Sequence, residues 1–255
     1  MGKIIAISNQ KGGVGKSTTT INLAACLAEL GKQILLVDLD PQGNSTTGLG
    51  ISKSTLDKTV YDLLIGEASL KEVIKTTSQE KLLLLPADMN LAGAEIEFVN
   101  IKDREKLLKN ILELLREDFD YIFIDCPPSL NMLTINAMTA ADSVLIPIQT
   151  EFYAIEGLSQ LIYTMDMVKQ KLNPNLSVNG VVFTMYNANA NLSSQVVENV
   201  KAGLNYYKYK TVIPRSVRLA EAPSYGLPII QYESNCKGAE SYRMLAKEFI
   251  NVTND

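Results

Sequence analysis

The sequence predicts an α/β fold: a mostly parallel, twisted sheet with helices on both faces. Three observations predict it. Short, continuously apolar runs alternate with segments of helical periodicity along the chain. Such runs suit strands buried on both faces, whereas half-exposed strands would alternate apolar and polar residues. A glycine-rich stretch follows the first apolar run and opens the first helical segment. Finally, the 255 residues contain no composition break, Pro/Ser-rich linker or internal repeat, so one domain over 1–255 is expected.

The elements follow in order. Strands are expected at Lys3–Ser8, Gln33–Asp38, Leu82–Pro86, Tyr121–Asp125, Ser143–Ile148, Val178–Thr184 and Thr211–Ile213, each bounded by turn signals. Helices are expected at Lys16–Leu30, ended by Gly31, and at Arg104–Arg116. Three more are expected at Ala154–Lys171, stopped near Asn173-Pro174, at Ser193–Gly203 and at Gly238–Val252. Pro41 turns the chain out of the second strand, so Asp40 is expected on a loop free to move.

Composition narrows the chemistry. The chain has no histidine, which excludes His-based acid–base catalysis and His metal sites. Cys26, Cys126 and Cys236 are far apart and form no C-x-x-C pair, against a zinc site or a disulfide framework. Cys26 falls on the apolar side of the first helix and reads as core. No apolar run is long enough to span a membrane, and Lys3 leads straight into a strand, so a cytoplasmic protein is expected. Net charge is −4, yet residues 201–255 hold eight basic and five acidic residues. A basic C-terminal face on an acidic protein is compatible with nucleic-acid binding.

Residues 10–18, Gln-Lys-Gly-Gly-Val-Gly-Lys-Ser-Thr, form a phosphate-binding loop between strand and helix. Gly12, Gly13 and Gly15 allow unusual backbone angles, and successive N–H groups can turn inward around a phosphate. The following helix adds its positive dipole end. Lys16 is placed to reach the β- and γ-phosphates, Ser17 to ligate Mg²⁺ and Thr18 to touch the α-phosphate. The fold class is therefore that of a P-loop NTPase. The loop departs from the general pattern G-x-x-x-x-G-K-[ST], because Gln10 replaces the first glycine and Lys11 adds a second lysine.

Two acidic positions complete this site. Asp38 and Asp40 end the second strand, and ligands of open α/β sheets bind beyond the carboxyl ends of strands. Both are expected near the phosphates. Ile122-Phe123-Ile124-Asp125 is an apolar strand ending in an aspartate suited to holding Mg²⁺ directly or through water.

The strings Asn9–Thr19, Asp38–Asn44 and Asp125–Ser129 together resemble the ParA/Soj family of chromosome- and plasmid-partitioning ATPases. Glu151–Gly157 and Ile213–Pro223 extend the resemblance, which runs from the first strand to about residue 247 and is closest to the short chromosomal Soj type. The resemblance implies ATP and Mg²⁺ as cofactors, with Lys11, Gly12, Gly13, Val14, Gly15, Lys16, Ser17 and Thr18 around the nucleotide. It also implies that Lys11 crosses a dimer interface to the partner's phosphates and that Asp40 orients the attacking water. Lys11, Lys16 and Asp40 are thus the catalytic residues, Ser17 and Asp125 the metal residues, and Pro214 and Arg215 border the adenine. An ATP-sandwich homodimer would bind DNA without sequence preference, placing the protein on the nucleoid. A ParB/Spo0J-type partner would stimulate its slow ATPase.

Arg218 matches a DNA-contacting arginine of Soj proteins, but Asn189 stands where the family commonly has another. Lys201, Lys208, Lys210 and Lys247, together with Lys237 and Arg243, can compensate if they share a face. A MinD-like membrane-cycling ATPase is the nearest alternative. It needs a basic amphipathic C-terminal helix, whereas this chain ends Glu248-Phe249-Ile250-Asn251-Val252-Thr253-Asn254-Asp255. An iron–sulfur ATPase of the nitrogenase iron-protein kind would need a second cysteine near Cys126, and none is close. A small-molecule kinase would need an acceptor pocket that the sequence does not identify.

Overall fold

Every apolar run of the first half folds as a strand whose side chains alternate between two cores. A computed structural model of the chain describes residues 2–151, 154–188 and 190–254, several of them, Lys201 included, by backbone only. The strands are β1 (Lys3–Ile7), β2 (Ile34–Asp38), β3 (Lys75–Thr76), β4 (Leu82–Leu85), β5 (Tyr121–Asp125), β6 (Ser143–Gln149) and β7 (Ser177–Thr184). They form one sheet in the order β3-β4-β2-β5-β1-β6-β7, parallel except for the antiparallel edge strand β3.

The principal helices are α1 (Lys16–Glu29), α2 (Asn44–Gly48), α3 (Val60–Ile65), α4 (Leu107–Glu113), α5 (Met132–Ala140), α6 (Ala154–Lys171), α7 (Asn191–Gly203), α8 (Val217–Glu221) and α9 (Lys237–Asn254). Ile4, Ala6, Leu35, Val37, Ile122 and Ile124 point to one face of the sheet, against α5 and α6 residues such as Ala137 and Leu161. Ile5, Ile7, Ile34, Leu36 and Phe123 point to the other, against α1 and α9. The two-residue period of a strand produces this division. Phe249 of α9 anchors the second core, with ring centroids 5.3 Å from Tyr121 and 5.6 Å from Phe123. Cys26 is fully buried there, as expected.

Two expected elements change. Thr211–Ile213 is not a strand: Ile213 N donates to Phe183 O (2.8 Å), but contact continues only as a single bridge from Tyr186 to Pro214. Thr211 N, which lies between the ladder donors Tyr209 N and Ile213 N, is instead taken by the Glu248 carboxylate (2.9 Å). The helix expected over Arg104–Arg116 is a 3₁₀ turn, Arg104–Lys106, followed by α4. Arg116 lies beyond α4 because its guanidinium is drawn to Asp142 (2.8 Å), Glu113 (2.9 Å) and the Gly2 carbonyl (3.2 Å). α5 adds a helix between β5 and β6 that the periodicity did not announce.

α9 also fastens the Lys210–Thr211 segment. The Glu248 carboxylate accepts from Lys210 N (2.7 Å), Thr211 N (2.9 Å), Thr211 Oγ1 (2.7 Å) and Tyr207 OH (2.8 Å). Burial works against its charge, but these four donors hold its pKa below the usual value of 4.5. A depressed carboxylate pKa stabilises the fold above the unfolded-state pKa, and that stability is lost as pH falls through the folded value. Glu248→Ala is therefore expected to lower unfolding free energy by about 1.5 kcal/mol at pH 7. In urea melts the difference from the unmodified protein should shrink below pH 4.5.

Candidate active site

The carboxyl ends of β1, β2 and β5 converge, and the loops leaving them build a cavity of about 360 Å³. Gly12, Gly13, Gly15, Lys16, Ser17, Thr18 and Asp40 line it. Gly13 (φ 74°) and Gly15 (φ 86°) adopt left-handed backbone, which explains glycine at both positions. Gly12 is not among the glycines with a positive φ. Gly15 is the N-cap of α1 and supplies no side chain, so no side chain caps the first turn. Its N–H groups and dipole can therefore act on an anion. Thr184 at the end of β7 braces the loop apex, donating to Val14 O (2.8 Å). Asn9 braces its base, donating to Pro147 O (2.7 Å) and accepting from Lys11 N (3.0 Å). Both braces depend on strand order and were not legible in the sequence.

The two lysines occupy different environments. Lys16 is 7 % exposed, and its ammonium donates to Lys11 O (3.3 Å). Burial lowers its pKa, opposed by the charges of Asp125 and Asp40. Lys11 is not in the lining; its ammonium lies 3.0 Å from Glu151 Oε2, with the two side chains 35 % and 50 % exposed. An exposed pair of this kind is weak and easily exchanged for another anion. Beside it, Gln10 Oε1 is buried and has no hydrogen-bond partner among the described residues. Of the Glu151–Gly157 string, Phe152 and Tyr153 lie outside the described residues.

Asp38 and Asp125 are register partners on adjacent strands and are both fully buried. Asp125 Oδ2 accepts from Ser45 Oγ (2.7 Å), and Oδ1 accepts from Thr20 Oγ1 (3.4 Å). Burial raises its pKa, while hydrogen bonds from Ser45 and Ser17 and the Lys16 charge act the other way. Asp38 accepts from Thr46 N and Oγ1 (both 2.7 Å) and from Asp40 N (3.2 Å). Burial and then the Asp125 charge raise its pKa.

The structure thus separates two carboxylates that the sequence placed together. Only Asp40 lines the cavity, whereas Asp38 anchors α2 from below. The expected free loop is also a packed turn. Asp40 is 5 % exposed, its Oδ1 accepts from Gln42 N (2.9 Å), and Gly43 N returns to Asp40 O (2.8 Å).

A magnesium ion fits this donor set. Ser17 and Asp125 could offer hard oxygens beside a lysine, and burial leaves the Asp125 carboxylate short of positive charge. Among the described residues no three His, Cys, Asp or Glu side chains cluster to hold an ion alone. Such an ion would be held jointly with phosphates, as magnesium commonly is.

An adjoining cavity of about 250 Å³ shares Gly15, Thr18 and Met185 with the first. Pro214, Arg215, Leu219 and Tyr242 line it, so Pro214 and Arg215 do lie next to the phosphate loop. Of the expected DNA-binding residues, Arg218, Lys210 and Lys247 are exposed. Arg218 Nη1 pairs with Glu221 (2.9 Å), and Lys208 donates to the Leu204 carbonyl. Arg243 pairs with Glu29 (2.8 Å). Asn189 lies outside the described residues, as does the Lys201 side chain.

Comparison with known proteins agrees with this architecture. The AAA domain family profile matches residues 2–178. The sporulation initiation inhibitor protein Soj of Bacillus subtilis is 57 % identical over 97 % of this chain and 98 % of its own. The chromosome partitioning protein ParA of Myxococcus xanthus is 50 % identical over 98 % of this chain and 88 % of its own. Cobyrinic acid a,c-diamide synthase of Mycobacterium smegmatis, solved with ADP and magnesium, superposes with a TM-score of 0.89 at 36 % identity. That match covers 100 % of this chain and 96 % of the other. With such identity along nearly its whole length, the chain belongs to the AAA domain family and, within it, to the ParA/Soj chromosome-partitioning ATPases.

Proposed function

We propose that this protein is a Mg²⁺-dependent ATPase switch that dimerises around ATP, binds DNA without sequence preference and acts in chromosome or plasmid partitioning. The observation that carries this reading is the division of labour between the two lysines: Lys16 buried in the cavity, Lys11 outside it on a weak surface pair. The nucleotide's phosphates would lie against Gly12–Thr18, and Pro214 and Arg215 would border its base in the adjoining cavity. Ser17 and Asp125 would hold the magnesium ion, which neutralises charge on the phosphates. Lys11 would exchange Glu151 for the phosphates of a second copy's ATP, much as an arginine finger acts in trans. Asp40 would orient the attacking water; phosphoryl transfer to water needs positioning and charge stabilisation more than a strong base, so a chain without histidine suffices.

The MinD-like alternative is less well supported. The apolar face of α9 is consumed by packing on the sheet and α1, where Ala239, Tyr242, Leu245, Ala246 and Phe249 are buried. A ParB/Spo0J-type activator would stimulate the hydrolysis, a reading supported by the family membership.

DNA binding is tested by measuring duplex affinity with ATP, with ADP and without nucleotide. Binding should require ATP and fall steeply with salt, because phosphate contacts release counterions. Arg218→Ala should weaken it about tenfold at low salt and by less as salt rises, lowering the salt slope by about one. Binding that ignores nucleotide, or is absent throughout, would contradict the reading.

A further inference from the structure

The α2 region beside the phosphate cavity packs against the turn that follows the Arg218 helix, most tightly backbone to backbone at Gly50 and Gly226. Ser45 and Thr46, in the first turn of α2, are tied to Asp125 and Asp38, and Thr47 lines the phosphate cavity opposite Pro223. Beyond α2 the chain turns at Gly50 (φ 82°) and presses against Gly226 (φ 66°). A Cβ on Gly226 would lie 2.5 Å from Gly50 Cα, and one on Gly50 would lie 3.0 Å from Gly226 O. No side chain fits between these backbones.

Gly226 closes the 3₁₀ turn Ala222–Tyr225, which continues directly from α8. α8 has two faces. Leu219 and Ala220 line the adjoining cavity, while Val217 is 72 % exposed and Arg218 faces solvent. On the outer side, Glu221 Oε2 accepts from Arg218 (2.9 Å) and from Tyr232 OH (3.2 Å). Tyr232 in turn stacks on exposed Tyr225, ring centroids 4.9 Å apart.

We propose that the Gly50–Gly226 contact couples nucleotide occupancy to DNA affinity, with Glu221 masking Arg218 until the α8 segment shifts. This rests on the DNA-binding reading above. Phosphates and a cation arriving at Asp40 and Asp125 alter the anchors of α2. Two backbones in van der Waals contact cannot absorb that movement, so it passes to Ala222–Gly226 and hence to Glu221. In the pair, Glu221 competes weakly with a phosphate for Arg218 and adds repulsion of its own; separated, Arg218 becomes a stronger phosphate contact. Such coupling is reciprocal, so DNA must tighten ATP binding by the same factor as ATP tightens DNA binding.

The test is duplex-DNA affinity with ATP and with ADP for the full chain, Glu221→Gln and Gly226→Ala, with dimerisation followed by sedimentation. Glu221→Gln should bind DNA about fivefold more tightly with ADP and less than twofold differently with ATP. Gly226→Ala should still dimerise with ATP but lose most of the ATP-over-ADP preference, by weaker binding with ATP. Alanine is strained at this φ, so hydrogen exchange of residues 217–226 in the unmodified protein gives an independent readout. Its protection should differ between ATP and ADP. Unchanged preference in both variants, loss of preference only together with the dimer, or identical exchange would overturn the coupling. Absence of DNA binding by the unmodified protein in every state would overturn the DNA-binding reading itself.

Discussion

Replacing Lys11 by alanine is expected to abolish the ATP-dependent dimer and to lower ATP turnover by about 10³-fold or more. Nucleotide binding within one copy should fall far less. The expectation follows from where the side chain sits. Lys16 already serves the cavity, and the Lys11 ammonium is held outside it by Glu151 at 3.0 Å. Removing Lys11 leaves the phosphate cradle intact, because Asn9 and Thr184 brace the loop through backbone groups. What is lost is a positive charge available to a second molecule. Sedimentation of Lys11→Ala as a normal dimer with ATP would sink this assignment. Loss of nucleotide binding as severe as that of Lys16→Ala would also count against it.

Asp40→Ala is expected to reduce turnover by about 10²- to 10³-fold while the ATP-bound dimer accumulates. Asp40 is the cavity's own carboxylate. Its Oδ1 accepts from Gln42 N (2.9 Å), and in the proposed mechanism Oδ2 would orient a water at the terminal phosphate. Alanine keeps the space and removes the orientation, so binding persists and hydrolysis stalls. Single-turnover phosphate release, combined with sedimentation, checks both halves. Unchanged turnover, or slow turnover without dimer accumulation, would remove Asp40 from this role. Asp38→Ala should behave differently. Asp38 does not line the cavity but anchors Thr46, so its loss should appear first in stability.

Much of this was legible because buried parallel strands write themselves as unbroken apolar runs. Tyr121–Asp125 was read with both ends correct, and the phosphate loop was placed between β1 and α1 as required. The failures have physical causes. α5 is nearly uniform around its axis, with Thr134, Asn136 and Thr139 buried alongside Leu133 and Ala137, so no apolar stripe marks it. β3 is two residues long and takes its strand character from pairing with β4 rather than from composition. Thr211–Ile213 has strand composition, but its Thr211 N–H goes to Glu248 of α9 and not to β7. At the site, local sequence identified which side chains carry charge but not which ones share a hydrogen bond. The pairing of Asp38 with Asp125 depends on β2 and β5 being neighbours, although 82 residues separate β2 from β5. Ser45, Thr46 and Thr20 are small polar residues without a motif of their own; only tertiary contact shows that they hold the two carboxylates.

The central claim is that one site senses ATP in its own pocket and a second molecule at the same time. Sedimentation velocity of the unmodified protein, with Mg²⁺ and either ATP or ADP at equal concentration, tests it most directly. A dimer with ATP and a monomer with ADP is the predicted result. The same oligomeric state with both nucleotides would contradict it.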